Sequence, residues 1–421
     1  MKPKFLLYVL IALAIIAIAA FIIYRAVYQG SGGGTGELPG LSGLLGQTGA
    51  LPAAQNQQFP SSSVLNSGAT STAMFNASGA NSTSSSSKFG IISNDPALDY
   101  FVTPGNAVEL IKSDGSIETI SNNTPTVLSN ATVLNIINAA FSYDGKKVFI
   151  TYKAATTTQT SVFDVNSRTW IHLPGGMQSP VWSPINYQIA YLVDSGSGSE
   201  ALRTIDTAAT SSKPIDVITI AMEDMRLQWP SKDTIIISDR PSAFTATSIW
   251  SLNIPSLKLS SVAYESLGSE SLWGSSDSAL IFSAGPQNAG GHLLFRNIAG
   301  DQKLLSFKTL SSKCAFSPSL TSSTTPSTTT STIGSSSVVI YCAAPDDQNT
   351  FSVARLPDEY EQKIYFTDDD FYRVDVGANT LNQIFSYSLA GLNLDATKMK
   401  VFNNILFFIN RYDQKVYALA L

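Results

Sequence analysis

One aromatic-led motif returns along most of the chain at a nearly constant interval. Its copies are AAFSYDGKKVFITY (139–152), SPVWSPINYQIAYLV (179–193), MRLQWPSKDTIIIS (225–238), ESLWGSSDSALIFS (270–283) and SKCAFSPS with SVVIYCA (312–319 and 337–343). The anchoring rings Phe141, Trp182, Trp229, Trp273 and Phe316 are spaced by 41, 47, 44 and 43 residues. A fixed period of about 40–50 residues marks a propeller or a solenoid, because each unit must bury its apolar face against the next one.

The runs after each ring decide between those two architectures. They are four to six residues of Val, Ile and aromatics, bounded by Gly, Asp, Asn and Ser turns, which read as strands. No amphipathic helix of useful length interrupts them. Within a period the same order recurs, as VFITY is followed by TSVFDV (160–165) and TWIHL (169–173). That amounts to about four strands per repeat, the content of one propeller blade. The C-terminus supplies only three further strands, within NLDATKMKVF, ILFFIN and KVYALAL. The missing fourth is expected from the other end of the chain. Pairing Phe89–Ser93 with the strand near Tyr417 would close the ring and remove its free edges. The sequence therefore predicts an all-β chain, a β-propeller of about seven four-stranded blades, preceded by one transmembrane helix and a disordered linker.

The most complete repeat, Phe141-Ser142-Tyr143-Asp144-Gly145-Lys146-Lys147-Val148, resembles that of TolB-like, WD-repeat-like bacterial β-propellers. Trp182-Ser183-Pro184 and Phe316-Ser317-Pro318 match it in part. From Phe89 to Leu421 the order of features also resembles bacterial propeller proteins that carry a single membrane anchor. The resemblance implies a fold and specifies no ligand, since one fold hosts many functions.

Ahead of the repeats, Phe5 to Ile23 form 19 uncharged residues, FLLYVLIALAIIAIAAFII. As a helix they would span roughly 28 Å, close to the apolar thickness of a bilayer. Lys2 and Lys4 precede the run and Arg25 follows it, a bias that favours a cytoplasmic N-terminus. Residues 1–28 are thus expected to be a cytoplasmic stub and signal-anchor helix, contacting lipid through residues 5–24. A cleaved signal peptide is the alternative, and either way the rest of the chain is exported. Residues 29–87, rich in Gly, Ser, Thr, Asn and Ala, hold one charge, Glu37, and read as a disordered linker. Residues 88–421 are the predicted propeller. The chain's net charge is −5, and because residues 1–87 carry +2 the propeller carries −7. An acidic head is a poor ligand for nucleic acid, which needs clustered Lys and Arg.

Two insertions interrupt the sixth repeat. Residues 320–337 are almost entirely Ser and Thr and read as a disordered loop. Residues 343–363, AAPDDQNTFSVARLPDEYEQK, form a long loop, a class that tends to carry function. Its Phe351, Arg355 and Tyr360 are the candidate partner-binding residues, since aromatic and Arg side chains anchor interfaces. A plain cover over the propeller's own apolar surface is the alternative. Cys314 and Cys342 fall on neighbouring strands of one hairpin, where an exported protein can bridge them by a disulfide. Asp368, Asp369 and Asp370 lack the spacing of a calcium loop and read as a solvated turn. His172 and His292 sit in strand-like runs. No metal site, no cofactor and no catalytic motif is legible, so no enzymatic activity is expected. The favoured function is a protein-interaction or scaffold module of the cell envelope, single-pass in the membrane with its propeller outside. A cell-surface glycan binder, stacking sugars on Tyr360 and Phe371, is the alternative, and a propeller hydrolase ranks below it.

Overall fold

A computed structural model describes residues 88–421 except 197, 209–211, 275–277 and 319–337. All of these lie in the unit Thr70–Leu421. The expected anchor helix, the linker and the Ser/Thr insertion lie outside the described residues. Among the described residues, no helix is long and apolar enough to cross a membrane.

The unit is a β-propeller of seven four-stranded antiparallel sheets. The innermost strands are Ala97–Val102, Ile136–Phe141, Gln178–Trp182, Arg226–Ser231, Glu270–Trp273, Cys314–Phe316 and Ala396–Phe402. We number the blades one to seven in that order. Six blades are built from consecutive strands. In blade seven the outermost strand is Phe89–Ile91, from the start of the unit, and it pairs antiparallel with Val416–Ala420. Ile91 lies opposite Tyr417, which is the closure expected from the strand count. The Phe89 ring stacks on Tyr417 and on Phe385 of blade six, with centroids 5.4 and 5.0 Å apart. The first strand therefore fastens two blades rather than one.

The core is divided among the blade interfaces. Seven clusters of buried apolar side chains occur, one between each adjacent pair of blades. This follows from the alternation of the strands, which turns one set of apolar side chains toward each neighbouring blade. The repeat anchors lie on the innermost strands, where they join these clusters. Trp182 also donates from its indole nitrogen to the carbonyl of Ala140 in the blade before it, at 3.0 Å.

The Ser-Tyr-Asp-Gly-Lys turn shows why that motif recurs. Asp144 accepts from the Ser142 hydroxyl and the Lys146 amide, and its other oxygen accepts from Tyr187 of blade three at 2.7 Å. Gly145 has φ of 77°, and a Cβ there would come within 2.3 Å of the Phe101 ring of blade one. The motif thus locks three blades together, and its residues are structural.

Strand alternation places the loops between second and third strands, and the connections between blades, on one face. Loops between first and second strands open on the opposite face. The insertion of blade six that starts near residue 343 belongs to the first face, and the Ser/Thr insertion to the second.

Candidate functional site

The long insertion is shorter at its start than the sequence suggests and longer at its end. Ala343 and Ala344 still pair with Phe371 and Asp370, so the strand Val339–Pro345 absorbs them. The connection then runs from 346 to 368. It contains two short helices, α1 (Gln348–Val353) and α2 (Asp358–Glu361). Asp347 caps α1, accepting from the amides of Asn349 and Thr350 and so satisfying two of the helix's free donors.

This segment folds down onto the propeller. Phe351 is fully buried and meets the edge of Phe282 in blade five, with centroids 6.4 Å apart. Ala354, Leu356 and Tyr360 join the same cluster between blades five and six. Gly290 of blade five donates to the Ala354 carbonyl at 2.7 Å. With φ of 62° and the Ser352 backbone 2.9 Å from where a Cβ would sit, position 290 tolerates little but glycine. Further out, Asp358 accepts from the Ser242 hydroxyl and the Ala243 amide of blade four, at 2.9 and 2.6 Å. Arg226, at the head of the innermost strand of blade four, grips Glu361 with both terminal nitrogens, at 2.8 and 3.0 Å. On the other side the Arg411 guanidinium of blade seven lies 3.6 Å from the Tyr360 ring centroid and donates to the Tyr360 carbonyl at 2.6 Å. The insertion is therefore a cap fixed to blades four, five, six and seven.

Beneath the cap lies a buried ionic cluster. The Lys313 ammonium, just ahead of the innermost strand of blade six, donates to Asp369 and to the Thr367 hydroxyl, both at 2.7 Å, and to Asp395. Asp395 also accepts from Arg411, from the Tyr360 hydroxyl at 3.1 Å and from the Thr367 amide at 3.2 Å. Asp369 accepts from the Ala396 amide at 2.7 Å, but its Oδ1 is buried without a hydrogen-bond partner. Two cations thus face two carboxylates with almost no exposure. Burial and the charge of Asp395 push the Asp369 carboxyl up to about 6, against the opposing pull of Lys313. Burial works against the charge of Lys313, but Asp369 and Asp395 outweigh it and hold the ammonium well above the usual lysine range. Burial also raises the Tyr360 phenol. The cluster ties the cap to the innermost strands of blades six and seven, and its members are structural.

Several sequence expectations change here. Asp369 and Asp370 are buried and open the third strand of blade six, so they form no solvated turn. The cause is Lys313, whose ammonium draws Asp369 inward. Of the three partner candidates, Phe351 and Tyr360 are enclosed within the chain, and Arg355 alone is exposed, its guanidinium 5.6 Å from the Phe244 ring. Tyr360 and Phe371, the rings assigned to sugar stacking, are 7% and 0% exposed. Cys314 and Cys342 stand opposite each other in register, and their sulfurs are bonded. His172 and His292 are exposed on strands, the former 2.9 Å from the Ser161 hydroxyl. Lys313, Asp395 and Arg411 were not foreseen. The available signal was a charged residue immediately before an innermost strand, as Lys313 and Asp395 each are.

The capped face carries large apolar side chains in solvent. Phe244, Val353, Ile364, Leu389, Leu392 and Tyr412 are all exposed there, Val353 and Leu389 by more than 70%. They come from blade four, the cap, the connection between blades six and seven, and blade seven.

No protein-family model matches the chain, and no curated protein is similar to it in sequence. Among solved structures it is similar to TolB from Acinetobacter baumannii, at 10% identity and a TM-score of 0.40, over 64% of this chain and 60% of that one. It is similar to prolyl endopeptidases at 12% identity and a TM-score of 0.47, over 78% of this chain and 50% of theirs. The propeller domain of the Trilobed protease from Pyrococcus furiosus matches at 10% identity and a TM-score of 0.46, over 77% of this chain and 92% of that domain. The chain thus spans 60% and 50% of the first two structures. These likenesses are of fold. They do correct one expectation, that the chain has no enzymatic activity. The solved structures it is similar to include a tricorn protease, an acylaminoacyl peptidase and an oligogalacturonate lyase, so the fold gives no ground for that exclusion.

Proposed function

We propose that this chain is a membrane-tethered, extracytoplasmic propeller that binds a protein partner of the cell envelope through its capped face. The uncharged run Phe5 to Ile23, with Lys2 and Lys4 ahead of it, supports the tether and its orientation. The observation that carries the binding face is the group of exposed apolar side chains on and around the cap, Val353, Ile364, Leu389, Leu392, Phe244 and Tyr412. Apolar side chains held in solvent on one surface are what a partner would cover. The cap's inner side is fixed by Phe351 and the buried ionic cluster, so its outer side is held as a rigid surface, which lowers the cost of binding. The loop remains the partner-binding element, but its contacts are Val353 and Ile364 rather than the enclosed Phe351 and Tyr360.

A photo-crosslinking amino acid at Val353 in the full-length protein, in its native membrane, tests this. One reproducible protein adduct is expected there, and none from the same group at Ile298, which is exposed on the opposite face. Equal adducts from both positions, or none from Val353, contradict the assignment.

A further inference from the structure

The innermost strand of blade seven carries a cation that the protein leaves nearly unpaired. Each innermost strand borders the axis of the propeller, so a side chain in its middle that reaches solvent does so into the channel. Five charged residues lie on those seven strands: Asp99, Arg226, Glu270, Lys398 and Lys400. Four of them are matched. Arg226 holds Glu361. Glu270 accepts from the Ser311 hydroxyl and from the amide and hydroxyl of Ser312. Asp99 and Lys400 pair at 3.2 Å, and the Lys400 ammonium also donates to the Tyr100 carbonyl and sits 4.6 Å from the Tyr100 ring centroid. Lys398 remains. Among the described residues it makes no ion pair, and its ammonium donates to a single acceptor, the Leu98 carbonyl of blade one, at 2.7 Å. Two of its three N–H donors are left for something else.

A backbone irregularity sets the position of this residue. The register of the innermost strand of blade seven shifts between Thr397 and Lys400, and Lys398 has φ of 50°. The bulge, like the one at Ser179 in the innermost strand of blade three, turns its side chain out of the regular alternation. The Tyr100 hydroxyl fastens the bulge by donating to the Lys398 carbonyl at 2.7 Å. The side chain is exposed, with the innermost strand of blade one beside it. Partial desolvation, with Lys400 nearby, lowers the affinity of the amine for its proton, and Asp99 only partly opposes the effect. The innermost strand of blade two adds exposed Ile137 and Asn138.

We propose that the central channel is a binding site for an oxyanion, a carboxylate or phosphate group, held by the ammonium of Lys398. A bound anion would occupy the unspent donors and supply the counter-charge that the innermost strands lack. The exposed Ile137 and the amide of Asn138 offer both apolar and polar contacts to the remainder of such a ligand.

The test is thermal unfolding of the full-length protein in detergent, followed by tryptophan fluorescence. Inorganic phosphate and benzoate are the two probes, each compared with sodium chloride at equal ionic strength. A saturating anion is expected to raise the midpoint by roughly 2–4 °C, since a ligand that binds only the folded state stabilises it. The rise should vanish in Lys398→Met. A shift with phosphate alone marks a phosphate site, and one with benzoate alone a carboxylate site with an apolar neighbour. No shift beyond chloride with either probe, or an equal shift in Lys398→Met, overturns the proposal. Should that variant fail to fold, trace acetylation of the unaltered protein gives a second readout by mass spectrometry. Labelling of Lys398 should fall about threefold or more with the effective anion, while the exposed Lys258 is unaffected. Unchanged labelling of Lys398 overturns the proposal.

Discussion

Replacing Lys313 by Met should destabilise the propeller more than most single substitutions. The change removes the ammonium shared by Asp369 and Asp395, two carboxylates with no solvent exposure, and leaves Arg411, paired with Asp395, as the one cation of the cluster. It also removes the hydrogen bond to Thr367, which belongs to the cap. Deleting one partner of a buried ion pair costs about 3–5 kcal/mol, because the remaining charge is stranded in a poor solvent. The propeller spans 334 residues, from 88 to 421. At about 2.1 cal/mol/K per residue its unfolding entropy is near 0.7 kcal/mol/K, so the midpoint should drop by roughly 4–7 °C. All five tryptophans lie at or beyond Trp170, so fluorescence of the full-length protein reports the propeller. Adding Asp369→Asn to Lys313→Met removes the stranded charge and should restore about half of the loss, because neighbours in one network are not additive. A fall of less than about 1 °C in Lys313→Met, or a double variant as unstable as the sum of the singles, would refute the reasoning.

Two further outcomes follow from the same geometry. Phe351→Ala should cost about 3–5 kcal/mol, measured by urea unfolding, because it empties a fully enclosed site against Phe282. It should also raise amide exchange across α1 and α2, whereas Val353→Ala, on the exposed side, should leave both unchanged. Glu109 tests pH dependence: burial, and then the nearby charge of Asp144, push its carboxyl up to about 7. A raised carboxyl favours the native state below its ordinary value of 4.5, and that contribution is lost as pH rises through about 7. Glu109→Gln should remove about 1–2 kcal/mol of that decline, a figure discounted for the residue's partial exposure. A variant that keeps the full slope would place its source elsewhere.

The fold was legible because its determinants are local and repeated. Phe141, Trp182, Trp273 and Phe316 each end an innermost strand, so their spacing measures the blade directly. The closure was legible from a deficit, three strands at one end of the chain and one left over at the other. The cap was visible as an insertion but not as a cap. Whether Phe351 faces a partner or its own core depends on Phe282 in another blade, and no local pattern encodes that distance. The same holds for Asp369 and Asp395, which belong to Lys313 residues 56 and 82 positions earlier. Read alone, Asp368-Asp369-Asp370 is a hydrophilic run, and only a buried ammonium makes it a core element. Lys398 was invisible for a related reason, since the strand pattern of TKMKVF does not say which lysine finds a carboxylate.

On the proposed reading, the outer side of the cap is the face that meets a partner. The most direct measurement is the affinity of the full-length protein, in detergent, for the partner that crosslinks at Val353. It should be compared between the unaltered chain, a Val353→Asp/Ile364→Asp variant and an Ile298→Asp variant. Introducing two charges where apolar side chains are to be buried should weaken binding by at least about tenfold, or 1.4 kcal/mol. Ile298→Asp, on the opposite face, should leave it unchanged. Equal affinity in all three proteins would contradict the account.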